Sequence, residues 1–176
     1  MNRSARSIVL IGMMGAGKSA VGTCLQRRFG FSRFDIDEMV VSKFGMPIPE
    51  IFAQHGEDEF REAETETLRT LPISGLAVIV TGGGIVLREQ NRALLKRLGA
   101  VVWLKADEAT LFKRASQSGD RPLLHHKNPR NAFAQTLHAR LPLYAKIADI
   151  RVDTSALTGE EVTLAILNKV KRHCQQ

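Results

Sequence analysis

The stretch Gly12-Met13-Met14-Gly15-Ala16-Gly17-Lys18-Ser19 constrains this chain more than any other, because of what flanks it. The apolar run Ile8-Val9-Leu10-Ile11 precedes it, and a helix-like segment, residues 20–29, follows. Strand, glycine-rich turn, Lys-Ser and helix form the setting in which a G-x-x-x-x-G-K-[ST] match denotes a phosphate loop. Glycines let backbone N–H groups converge on a phosphate with no Cβ in the way. The helix starting near Lys18 aims its positive end at the same point. Lys18 is then placed to reach the β- and γ-phosphates, and the Ser19 hydroxyl to ligate Mg²⁺. The plain alternative is a glycine turn with Lys18 and Ser19 facing solvent, and the agreement of motif with context argues against it. The chain is expected to bind a nucleoside triphosphate.

With 176 residues, 44% of them apolar, one domain with a substantial core is expected. The net charge of +7 raises the question of nucleic acid. Its lysines and arginines are scattered, however, with almost no aromatic residues between them, which suits ATP and a small anionic substrate better. No nucleic-acid partner is expected. Cys24 and Cys174 lie far apart, without metal-binding spacing, as in a cytoplasmic protein that keeps its thiols reduced. Arg3 and Arg6 before the first apolar run faintly imitate a signal peptide, but the run passes straight into the phosphate loop. No stretch approaches the ~18 apolar residues of a membrane span, so no membrane partner is expected.

Five short apolar runs suit buried parallel strands: residues 7–11, 33–36, 77–81, 101–105 and 150–153. Helical patterns over 20–29, 50–71 and 108–117, and from Thr158 onward, alternate with them. The expected class is α/β, a three-layer α/β/α domain around a five-stranded parallel sheet. Asp107 reads as an N-cap, and Thr158-Gly-Glu-Glu161 has capping-box spacing. Residues 46–49 and 116–130 look irregular, and the longer stretch suits an active-site lid carrying Arg121.

Ligands in parallel α/β sheets sit at the carboxyl ends of strands. The second strand ends in Asp35-Ile36-Asp37, whose carboxylates share a side if the backbone stays extended. One could serve Mg²⁺ and the other a substrate hydroxyl; a helix-capping pair is the alternative. The third strand ends in Gly82-Gly83-Gly84, which favours close backbone approach to a ligand. No D-E or D-x-x-G follows that strand, which leaves Asp35 as the metal carboxylate. Arg61 stands one turn from Glu57 and from Glu64, so a surface ion-pair ladder competes with any binding role. Singly, Arg61, Arg121 and Arg140 are weak signals.

Together they are not. The ordered set G-M-M-G-A-G-K-S, D-I-D, I-F-x-x-x-G-E-x-E-F-R-x-x-E, G-G-G, V-V-W-L, R-P-L-L, R-L-P-L-Y and a late V-D-T resembles the shikimate kinase family over nearly the whole chain. The resemblance implies a P-loop, nucleoside monophosphate kinase-like fold in a single domain spanning 1–176, with its core over 7–173 and its lid near 116–130. It implies transfer of the γ-phosphoryl of ATP to the 3-hydroxyl of shikimate, a step toward aromatic amino acids, in a cytoplasmic monomer. By the same resemblance Lys18, Asp37 and Arg121 are catalytic. ATP is held by Gly12, Gly15, Ala16, Gly17, Lys18, Ser19, Ala20, Arg114 and Arg121. Shikimate is held by Asp37, Arg61, Gly82, Gly83, Gly84 and Arg140, and Mg²⁺ by Ser19 and Asp35. The chain departs from the common pattern at Ile36, where many members have Thr, and at Val40-Val41, where many have Ile-Glu. A related kinase acting on gluconate or another polyol, or a non-catalytic ligand-binding module, are the other readings.

Overall fold

The computed structural model describes residues 7–117 and 127–175. In chain order the elements are β1 (Ser7–Ile11), α1 (Lys18–Phe29), β2 (Ser32–Asp35), α2 (Ile36–Phe44), α3 (Ile48–Arg69) and β3 (Ala77–Val80). There follow α4 (Glu89–Leu98), β4 (Ala100–Lys105), α5 (Glu108–Gln117), α6 (Pro129–Ile147), β5 (Ile150–Asp153) and α7 (Gly159–His173). The strands form one parallel sheet in the order β2-β3-β1-β4-β5. The expected three-layer α/β architecture is what the chain adopts.

Strand alternation divides the core in two. Ile8, Leu10, Val78, Val80, Val102 and Leu104 face α1, α5 and α7, with Phe133 of α6. Val9, Ile11, Ile79, Val101 and Trp103 face α2, α3 and α4, together with Tyr144 of α6. Helix α6 thus contributes to both layers. Each of these side chains is essentially excluded from water, worth about 1.5–3 kcal/mol apiece before chain entropy is counted.

The element boundaries depart from sequence expectation where local capping prevails over apolar pattern. Strand β2 stops at Asp35 because that side chain accepts the Glu38 N–H and caps α2. The D-I-D stretch is therefore not extended: Ile36 opens the helix, and Asp37 lies in its first turn. The irregular reading of 46–49 holds for Met46 and Pro47 but not for Ile48 and Pro49, which are helical. Pro47 caps α3, and Pro49, with no N–H to lose, sits comfortably in its first turn. Helix α3 begins earlier than the expected 50–71 and is interrupted by non-helical backbone at Gly56. Of the irregular stretch 116–130, Ser116 and Gln117 finish α5, while Pro129 and Arg130 start α6. The lid reading, and Arg121 with it, lies mainly outside the described residues. Helices α4 and α6 were not anticipated. The Asp107 cap and the Thr158–Glu161 capping box both form as read.

Candidate active site

All five strands run the same way, so their carboxyl ends converge on one edge, where a cleft of about 450 Å³ opens. Strand β1 delivers the phosphate loop to its floor. Gly17, at φ 89°, takes the left-handed turn that starts α1 at Lys18; a residue with a Cβ would be strained there. The Lys18 Nζ donates to the carbonyls of Gly12 at 2.8 Å and Met13 at 3.0 Å. Its ammonium is thereby stored inside the loop. Gly15, Gly17, Lys18, Ser19 and Ala20 line the cleft. Ala16 packs instead into the core beneath it, so a contribution from that residue falls to its backbone.

Helix capping brings both aspartates into the same cleft, although the backbone is not extended. Asp35 is buried, and its Oδ2 receives the Arg33 guanidinium at 2.6 Å. Arg33 also forms a two-point pair with Glu38, at 2.8 and 2.9 Å. Burial, then the neighbouring charges of Glu38 and Asp37, push the Asp35 carboxyl above its ordinary value in spite of Arg33. Sequence reasoning passed over Arg33, although its position two residues before Asp35 on one strand face was the available signal.

Gly82 and Gly83 line the opposite wall with Gly84 directly after them, and each of the three faces a different charged side chain. A Cβ placed on Gly82 would stand 2.5 Å from Asp37 Oδ1. One on Gly83 would come within 3.3 Å of Arg140 Nη1 and 3.5 Å of the phosphate loop at Gly12 and Met14. One on Gly84 would meet the Arg61 guanidinium carbon at 2.6 Å. No side chain fits at Gly82 or Gly84 while the charged groups keep their places, and at Gly83 the fit would be tight. Asp37, Arg61 and Arg140 come from α2, α3 and α6, so the bare backbone is where three helices bring one anion and two cations together.

Arg61 makes the ion pairs that the ladder reading foresaw, with Glu57 at 2.9 Å and Glu64 at 2.7 Å. It is not a surface residue, however, for its side chain is only 11% exposed and Glu64 is fully buried. Although burial opposes its charge, Glu64 and Glu57 together raise the guanidinium's pKa. These bonds engage one N–H on each terminal nitrogen, leaving a second N–H on both. Arg61 can therefore be braced by glutamates and still bind an anion. Glu64 has the reverse balance. Burial outweighs the attraction of Arg61 and raises its carboxyl from 4.5 to about 7, and its Oε1 has no hydrogen-bond partner.

That carboxyl makes a stability prediction. Folded, it keeps its proton to about pH 7, whereas unfolded it releases it near 4.5. The unfolded chain then binds fewer protons across this window, so stability falls as pH rises through it. Urea denaturation at pH 5 and pH 7.5 should show the wild type losing up to about 3 kcal/mol relative to Glu64→Gln. Parallel curves for the two proteins would refute the shift.

On the nucleotide side, Arg114 of α5 lines the cleft. Its guanidinium donates to the Thr154 hydroxyl at 3.1 Å and the Thr154 carbonyl at 2.9 Å. Residues after β5 thus hold the arginine in place. The structure also adds Thr81, which lines the cleft and ties β3 to β1 through the Leu10 carbonyl at 2.8 Å. Tyr144, quoted in the R-L-P-L-Y motif without a role, donates to the Gly83 carbonyl at 2.6 Å.

Comparison with known proteins now decides the family. The family model described as shikimate kinase matches residues 14–171. The chain belongs to the shikimate kinase family. The shikimate kinase of Thermodesulfovibrio yellowstonii is 42% identical over 167 residues, covering 95% of this chain and 96% of that one. The solved structure of the shikimate kinase from Acinetobacter baumannii in complex with shikimate superposes with a TM-score of 0.90 at 34% identity, covering 97% and 95% of the two chains. A Sinorhizobium meliloti gluconokinase, at TM-score 0.62 and 21% identity over 99% and 96%, shares the fold alone. The two departures from the family pattern fall on apolar ground: Ile36 and Val40 are fully buried in the α2–α3 core, with Val41 packed against it.

Proposed function

We propose that this chain transfers the γ-phosphoryl group of ATP to the 3-hydroxyl of shikimate, giving shikimate 3-phosphate and ADP. The observation that carries this reading is the wall at 82–84, which opposes Asp37, Arg140 and Arg61 beside the phosphate loop. A planar guanidinium pairs with a carboxylate through two parallel N–H donors, which an ammonium cannot match. Two such groups next to one carboxylate suit an acceptor with an acid at one end and a hydroxyl at the other. Asp37 receives or orients that hydroxyl. Phosphoryl transfer then asks mainly for alignment and charge neutralisation, to which Lys18 contributes from the loop and Arg121 from the lid segment.

Mg²⁺ fits the oxygen donors present. The Ser19 hydroxyl and the Asp35 carboxylate would hold it, and it would neutralise charge on the phosphates. Among the described residues there is no cluster of three or more metal-binding side chains. That suits a cation completed by phosphate oxygens and water rather than by a protein cage. Arg114 takes the adenine side. We read the protein as a cytoplasmic monomer. Cys24 and Cys174 are unpaired thiols, and no described helix is long and apolar enough to cross a membrane.

ADP release should be measured with shikimate, gluconate and nucleoside monophosphates offered in parallel, with Mg²⁺ and after its removal by EDTA. Shikimate alone should support turnover, and EDTA should abolish it without lowering the helical signal in circular dichroism. Faster turnover with gluconate would overturn the substrate assignment. Absence of turnover with every acceptor would favour a non-catalytic module.

A further inference from the structure

Tyr144 is the one tyrosine of the chain. Its ring is fully buried and lies tilted against Trp103, with centroids 5.8 Å apart. Packing accounts for the ring, but phenylalanine would pack as well. The hydroxyl is what remains to be explained, and it goes to the 82–84 loop. There the Gly82 carbonyl accepts from Ile85 N–H at 3.3 Å, and that of Gly84 from Leu87 N–H at 3.0 Å, both within the local turns. The carbonyl between them, that of Gly83, is held by the Tyr144 hydroxyl at 2.6 Å from a residue 61 positions away.

Arg140 precedes Tyr144 by one helical turn, on the same face of α6. It lies close enough to the phenol to act on its acidity, and its Nη1 borders Gly83 from the same side. In the same direction Gly83 also meets Gly12 and Met14 of the phosphate loop. One glycine therefore touches both the phosphate loop and, through Tyr144 and Arg140, a helix that carries an arginine assigned to the acceptor. Burial pushes the phenol up to about 12, so it remains a donor at every working pH.

We propose that Tyr144 is a positioning residue for the acceptor, its hydroxyl fixing the Gly83 peptide and with it the spacing of the 82–84 wall from Asp37, Arg61 and Arg140. This inference rests on the assignment of those three side chains to the acceptor site. Without the hydroxyl, the Gly83 carbonyl loses a buried partner and the wall is free to shift toward the space the substrate needs. The bonds of Lys18 run to Gly12 and Met13, and those of Arg114 to Thr154, rather than to Tyr144.

The test is Tyr144→Phe, which keeps the ring and removes the donor. The KM for shikimate should rise roughly 10-fold, the loss expected for one buried hydrogen bond, while the KM for ATP stays within about twofold. Trp103→Phe is the control for packing: it should lower Tm without a selective change in shikimate KM. An unchanged shikimate KM in Tyr144→Phe, or a parallel rise in both KM values in step with Tm, would overturn the proposal. Because the tyrosine is unique, fluorotyrosine labelling of the otherwise native enzyme gives a single ¹⁹F resonance. That line should move when shikimate is added and hold its place with ADP alone; a line indifferent to shikimate would count against the proposal. Arg140→Ala, measured alongside, separates the two levels. If it too leaves shikimate KM unchanged, the acceptor-site reading fails; if only Tyr144→Phe does, the positioning role fails by itself.

Discussion

Asp37→Asn is expected to lower kcat by about 10³-fold while leaving the affinity for ADP and Mg²⁺ nearly unchanged. The substitution preserves shape and place. Asp37 lies in the first turn of α2 and lines the cleft beside the phosphate loop. Gly82 leaves its carboxylate just enough room, since a Cβ there would stand 2.5 Å from Oδ1. An amide in that slot keeps the packing but loses the negative charge proposed to receive or orient the acceptor's hydroxyl. The residues proposed to bind the nucleotide, Lys18, Ser19 and Arg114, stand on other elements. Near-wild-type turnover in this variant would remove Asp37 from the chemistry altogether. A fall in nucleotide affinity matching the fall in kcat would instead make it part of the metal site.

The second large effect is expected at the arginines, and the two should differ. Arg140→Ala removes a guanidinium that neighbours the Tyr144 phenol and makes a long contact with the Met13 sulfur at 3.9 Å. Little of the fold leans on that contact. The KM for shikimate should rise about 100-fold, as for loss of a two-point charged pair, with Tm nearly unchanged. Arg61→Ala removes a similar share of the clamp but also strands Glu64, which is fully buried and pairs with Arg61 at 2.7 Å. Removing one partner of a buried pair costs about 3 kcal/mol, and Glu64, already raised by burial, then has to take up a proton to stay there. Arg61→Ala should therefore lose stability as well as substrate affinity, and adding Glu64→Gln should restore stability but not the KM. If Arg61→Ala and Arg140→Ala raised the KM values for ATP and shikimate equally, both arginines would be structural.

The nucleotide half of the site was legible because its chemistry is local. Gly12 to Ser19 are consecutive, and a strand and a helix of ordinary pattern flank them. The same holds for the Asp107 cap and the Thr158 capping box, each formed within one turn. Asp35 and Asp37 were legible as a pair but misread in geometry. An Asp that can accept from a backbone N–H three residues on will cap a helix in preference to extending a strand, and Ile36 follows it into the buried face of α2. The burial of Arg61 was not legible, because i,i+3 and i,i+4 glutamates look alike on a solvent face and an inner one. Arg33 and Tyr144 were passed over for a related reason: their partners are set by side-chain reach, and in the case of Tyr144 by a carbonyl far away in sequence.

The amino-acid order by itself determined that a strand would hand a phosphate loop to a helix. It also determined that five apolar runs would make a parallel sheet, and that motifs of one family recur in order along the chain. Those are consequences of short-range backbone chemistry and of burial pattern, which periodicity exposes. What only the tertiary structure decided is that three glycines would each stand against a different charge, delivered by three different helices. The sheet order β2-β3-β1-β4-β5 sets this, since it lays the end of β3 beside the phosphate loop of β1. Helix α6 then brings Arg140 and Tyr144 to the same glycine. Contacts between residues 61 and 127 positions apart have no signature in spacing; they exist because the two core layers, packed on opposite faces of one sheet, leave those side chains no other place to go.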